Sequence, residues 1–165
     1  MSSAMSDKNH QMTLPRPDFD RFYKHHELTE LLHAFATARP DLVELRELGR
    51  SHEDRPIWVL VLTRKASGAD QDKPAFWVDG NIHAAELTAS TACLYWLHHL
   101  LSKDGIDAGV TELLNTRAIY LVPRLNPDGA ELALADKPRH IRSSTRPYPW
   151  DEPHVDGLTI EDMDG

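Results

Sequence analysis

Apolar residues Leu28, Leu31, Leu32 and Phe35 recur at three- and four-residue spacing from His25 and stop before Pro40. That period predicts an amphipathic helix as the first regular element. The period then shortens. Positions 43–48 read as a strand ending at Gly49, and 57–63 as a stronger one, its apolar residues almost continuous as in a strand buried on both faces. The polar stretch 51–55 between them fits a hairpin-like connection. After a loop at 70–74 comes a strand at 75–78, and then Leu87, Ser90, Leu94, Leu97 and Leu101 fall at helical spacing. A helix of about four turns is expected there, lying against the sheet. Gly105 and Gly109 mark its exit, 111–114 adds a helical turn, and 117–122 is a strand that Pro123 interrupts. Strands alternating with helices predict an α/β fold, a mixed, mostly parallel twisted sheet flanked by helices, with ligands collecting at strand ends.

The ends are less regular. Residues 1–18 are polar and closed by Pro15 and Pro17, which reads as an N-terminal tail preceding one globular unit over 19–165. Regularity fades again beyond Ala130. The run 139–150, rich in arginine, hydroxyls, proline and aromatics, reads as an ordered loop over a site.

Composition narrows the function classes. A chain of 165 residues with 41% hydrophobic and 27% charged content suits one soluble globular unit. Its net charge of −8 disfavours attraction to nucleic acid or to an anionic membrane, so neither is an expected partner. The single Cys93 cannot form an intramolecular disulfide, and among Ala92, Leu94 and Leu97 it reads as a small core residue. No stretch is apolar enough to act as a signal peptide or a membrane span, which makes a cytoplasmic location the default expectation. Nothing in the sequence sets the oligomeric state.

The chemistry concentrates at two turns. His83-Ala84-Ala85-Glu86 follows the strand 75–78 and a Gly80-Asn81 turn, placing an imidazole and a carboxylate three residues apart. Residues i and i+3 on one helical face can reach a single ion, and a catalytic zinc takes three such protein ligands with one position left for water. The alternative is a histidine at a strand end beside a glutamate that favours a helix N-terminus. A second island, Asn126-Pro127-Asp128-Gly129, follows the strand 117–122 and reads as a tight turn, with proline pre-setting φ, Asp128 bonding nearby backbone and Gly129 tolerating positive φ.

The two motifs in this order resemble the zinc metallocarboxypeptidases of the carboxypeptidase A type, over roughly residues 43–150. The resemblance implies Zn2+ as cofactor, His83 and Glu86 as metal ligands, and a peptide with a free C-terminal carboxylate as substrate. It also implies an arginine after the Asn-Pro-Asp-Gly turn that polarises the scissile carbonyl. Arg142 is the best match, with Arg139 and Arg146 as rivals; the alternative is that all three are surface residues pairing with Asp151 and Glu152. A guanidinium suits the task because it stays charged and offers a planar fork of donors. The second ligand histidine, the residues gripping the substrate carboxylate and the general-base glutamate come later in that family. No convincing counterpart precedes Gly165, and His154 is a poor candidate, so the chain is expected to be the N-terminal half of such a domain and weakly active or inactive alone. Ala85 stands where many relatives carry a substrate-contacting arginine. A zinc amidohydrolase acting on N-acyl amino acids and a non-catalytic α/β binding module are the competing readings. His98 and His99 are expected on a helix surface, and His25 and His26 carry no distinguishing signal.

Overall fold

The computed structural model describes residues 13–146. In chain order these form helix α1 (His25–Ala38), strands β1 (Val43–Arg50) and β2 (Pro56–Leu62), two single-turn 3-10 segments, strand β3 (Ala75–Asp79), helices α2 (Leu87–Lys103) and α3 (Ala108–Thr116), strand β4 (Ala118–Val122) and helix α4 (Pro127–Ala133). The four strands make one sheet in the order β1-β2-β4-β3.

The mixed sheet flanked by helices follows from the alternation of periods, and each connection dictates its pairing. A short polar turn joins β1 to β2, so they run antiparallel; β2 and β4 are also antiparallel. Only β3 and β4 are parallel, because α2 and α3 carry the chain back between them. Of the pairings among the described residues, the parallel one therefore lies at a single edge of the sheet. It is also the pairing that builds the site, since Asp79 and Val122 end side by side in register.

The main core lies on one face of this sheet. Val43, Leu60, Leu62, Ile119 and Leu121 meet Leu28, Leu32 and Phe35 of α1 and Leu94, Leu97 and Leu101 of α2. Cys93 joins them, and burial pushes its thiol up to about 11, as befits an inert core residue. The leading segment is partly engaged, with Leu14 packed against the core. On the opposite face Arg46 grips Asp70 through two nitrogens at 3.0 and 3.2 Å, and Tyr120 donates to the same carboxylate at 2.8 Å. The outer edge of β3 has no strand partner among the described residues, and Phe76 and Trp77 on it are exposed.

Two expectations change. Gly105 does end the preceding helical segment, with φ at +77°, but Gly109 lies inside α3. The Asp107 carboxylate accepts from the Gly109 and Val110 N–H groups at 2.8 and 3.0 Å, and this cap starts the helix earlier than its apolar residues suggest. The Asn126 tetrapeptide is a helix start instead of a tight turn. Asn126 is the N-cap of α4, Pro127 occupies the first turn, and Gly129 does not have positive φ. No helix among the described residues is long and apolar enough to cross a membrane.

Candidate metal half-site and its frame

His83 and Glu86 lie where the chain leaves the C-terminal end of β3. The geometry is that of a turn, because α2 begins only at Leu87 and Glu86 is its N-cap. The Glu86 N–H donates to the His83 carbonyl at 3.2 Å, and the bend carries the carboxylate under the imidazole. Nδ1 of His83 stands 3.0 Å from each carboxylate oxygen of Glu86. The pair thus converges as the spacing suggested, but through a turn and not along a helical face.

Asn81 makes that turn possible. Its backbone adopts φ +56°, a left-handed conformation that asparagine tolerates better than most residues. Its buried side-chain amide donates to the His83 and Ala84 carbonyls at 2.8 and 3.0 Å, and Ser90 of α2 donates to its Oδ1 at 3.3 Å. Gly80 is needed for a different reason. A Cβ there would lie 2.9 Å from the Ala89 carbonyl oxygen and 3.1 Å from Cys93 Sγ, so only glycine lets α2 pack this close.

The segment after β4 locks onto the same turn. Leu125 and Asn126 donate their N–H groups to the Gly80 and Asn81 carbonyls, each at 3.0 Å. At Gly129 an added Cβ would collide with Ala84 Cβ and stand 3.0 Å from Ala84 Cα. Asp128 is buried, and it bonds the distant β1–β2 turn: Ser51 Oγ donates at 2.7 Å, the Glu53 N–H at 2.9 Å and Arg55 at 2.7 Å. Burial opposes the charge on this carboxylate, but the three donors outweigh it and hold Asp128 below the ordinary carboxylate range.

Of the three candidate arginines, Arg142 is the one beside the half-site. Its Nη1 is 3.6 Å from Glu86 Oε1, and its carbonyl accepts from the buried Ala84 N–H at 3.1 Å. The Arg139 N–H instead reaches back to the Leu132 carbonyl at the end of α4. Arg146 lines an open cleft of about 660 Å³ with His52, Ile57, Ile82, Leu125 and Pro127, which runs beside the His83 turn. Residues from 147 onward, with Asp151, Glu152 and His154, lie outside the described residues.

The donor set fits a zinc ion, since an imidazole nitrogen and two carboxylate oxygens, all partly exposed, face one another. It is half a site. Among the described residues no group of three or more histidine, cysteine or acidic side chains could hold a metal.

Other histidines behave differently from expectation. His98 is half-buried, its ring edge-on to Phe19 and Phe35 at 6.3 and 6.5 Å, and burial lowers its pKa. His25 is buried with neither ring nitrogen hydrogen-bonded, close to Arg124, whose Nε and Nη1 also lack partners. Burial first, and then the charge of Arg124, push the His25 pKa down, while burial lowers that of Arg124 to about 10.

Comparison with known proteins gives the family and the fold. The family profile described as zinc carboxypeptidase matches residues 28–149. The chain is 36% identical over 112 residues to carboxypeptidase A2 of Rattus norvegicus, a match covering 68% of this chain and 26% of that protein. The crystal structure of thrombin activatable fibrinolysis inhibitor superposes with a TM-score of 0.65 at 27% identity, covering 72% of this chain and 29% of the other. Carboxypeptidase A from Helicoverpa armigera gives 0.63 at 28% identity, covering 77% and 30%. The chain therefore spans between a quarter and a third of the length of these relatives.

Proposed function

The chain belongs to the zinc carboxypeptidase family, and from that premise we propose that His83 and Glu86 are two protein ligands of a catalytic zinc in a peptidase that removes C-terminal residues. The observation that carries this reading is the meeting of His83 Nδ1 with both Glu86 oxygens where β3 and β4 end together. When bound, zinc supplies a water acidified toward neutral pH and a Lewis acid for the scissile carbonyl.

The residues present do the rest of what this part of the site offers. His83 and Glu86 would hold the ion, through an imidazole nitrogen and carboxylate oxygens. Arg142 places a permanent positive charge beside them, suited to the carbonyl oxygen as negative charge develops there. The cleft beside Ile82 gives a peptide with a free C-terminal carboxylate a surface to lie on. The third ligand, the carboxylate grip and the general base belong, in this reading, to residues outside those described.

Hydrolysis of a blocked dipeptide with a free C-terminus, measured with and without chelator, tests the proposal. Any turnover should be abolished by chelation. Cleavage that survives chelator contradicts the mechanism.

A further inference from the structure

Asn126 holds three chain segments with one side chain. Its Oδ1 accepts from the Gly129 N–H at 3.0 Å, capping α4. Its Nδ2 donates to the Ile82 carbonyl at 3.3 Å and to the Ser143 carbonyl at 3.0 Å. Only one orientation of the amide serves all three contacts, since a flip would set the oxygen against two carbonyls and the NH2 against an N–H. Ile82 directly precedes His83, and Ser143 directly follows Arg142.

We propose that Asn126 is a positioning residue that fixes Arg142 relative to the His83–Glu86 pair, a role resting on the functional reading above and additional to capping α4. Among the described residues, the Asn126 bridge and the Ala84 N–H to Arg142 carbonyl bond join the arginine loop to the His83 turn. The Arg142 guanidinium stands 3.6 Å from Glu86, with both side chains more than half exposed. An exposed ion pair of this length contributes little by itself to holding a loop. The neutral, half-buried amide therefore sets where the guanidinium stands. The Thr145 hydroxyl donating to Glu53 at 2.6 Å anchors the loop further on, so substitution of Asn126 leaves that anchor in place.

The test uses the full chain with Asn126→Asp and Asn126→Ser, both of which keep an acceptor for the Gly129 N–H. Amide hydrogen exchange is followed at Gly129 and at Ala84, together with the Arg142 side-chain Nε–H resonance. Loss of one hydrogen bond predicts about five- to tenfold faster exchange at Ala84. Gly129 should stay protected, and the Arg142 resonance should move toward that of a free arginine. Unchanged exchange at Ala84 overturns the proposal. So does equal acceleration at both amides, which makes Asn126 a cap alone. Neither readout needs metal. A parallel zinc titration of the wild-type chain and His83→Ala judges the metal reading separately, so a chain that binds no zinc yet shows the split exchange keeps the tether and loses the ligands.

Discussion

Replacing Asp128 by alanine removes the acceptor at the centre of the frame. The carboxylate is 2% exposed and takes three donors, Ser51 Oγ, the Glu53 N–H and Arg55. A neutral hydrogen bond contributes about 1 kcal/mol and one to a charged group about 1.5–3 kcal/mol, but burial of the carboxylate offsets part of that sum. The partners left behind add to the loss, because the Glu53 N–H and Arg55 are partly buried beside the vacated space. Removing one member of a buried, bonded charge pair costs about 3–5 kcal/mol, and Asp128→Ala is expected in that range. Asp128→Asn keeps an oxygen for the Glu53 N–H and should cost about half as much. Urea unfolding followed by tryptophan fluorescence reads both variants against wild type. The pH dependence carries a definite sign. A carboxylate held low in the folded state contributes stability above its unfolded value of about 4, and that contribution is lost as pH falls toward the lower folded value. The alanine variant should therefore lose less stability than wild type on acidification below about pH 4. A cost under about 0.5 kcal/mol at pH 7, or an unchanged acid dependence, refutes the view that Asp128 ties the β1–β2 turn to α4.

Three further outcomes follow from the same geometry. Gly129→Ala should destabilise by about 1–3 kcal/mol despite the better helix propensity of alanine, because its Cβ meets Ala84; an unchanged or raised urea midpoint contradicts this. His25, buried and beside Arg124, has a lowered pKa, so the folded state resists its protonation and stability falls as pH drops below about 6.5; His25→Phe should flatten that part of the pH–stability curve. Arg142→Gln should tighten zinc binding about two- to fivefold, since it removes a positive charge 3.6 Å from a proposed ligand; weaker binding in calorimetry makes Arg142 a support for the metal and not a competitor.

The elements with clear periods were legible in the sequence. Leu28, Leu32 and Phe35 gave α1, the near-continuous run in β2 gave a strand covered on both faces, and the leucines of α2 gave its buried side. The tetrapeptide Asn126 to Gly129 was ambiguous because the same residues that favour a turn also favour a helix start, with asparagine as cap and proline in the first turn. The glycine itself answers to Ala84, distant in sequence, whose contact leaves no room for a Cβ at position 129. The nearness of His83 and Glu86 could be read from their spacing, but the turn producing it depends on the left-handed Asn81, for which the Gly80-Asn81 pair was the available signal. Asn126 as a bridge and His25 beside Arg124 had no local signature. Both arise from segments that only the folded sheet brings together.

The proposed zinc site stands or falls on whether His83 and Glu86 take one divalent ion. Long-range proton–nitrogen spectra of the histidine side chains, recorded on the full chain before and after addition of zinc, address it directly. The account predicts that the His83 Nδ1 resonance shifts on zinc addition and that Glu86→Ala weakens the response at least about tenfold in zinc concentration. A spectrum in which zinc moves other histidines and leaves His83 in place would contradict it.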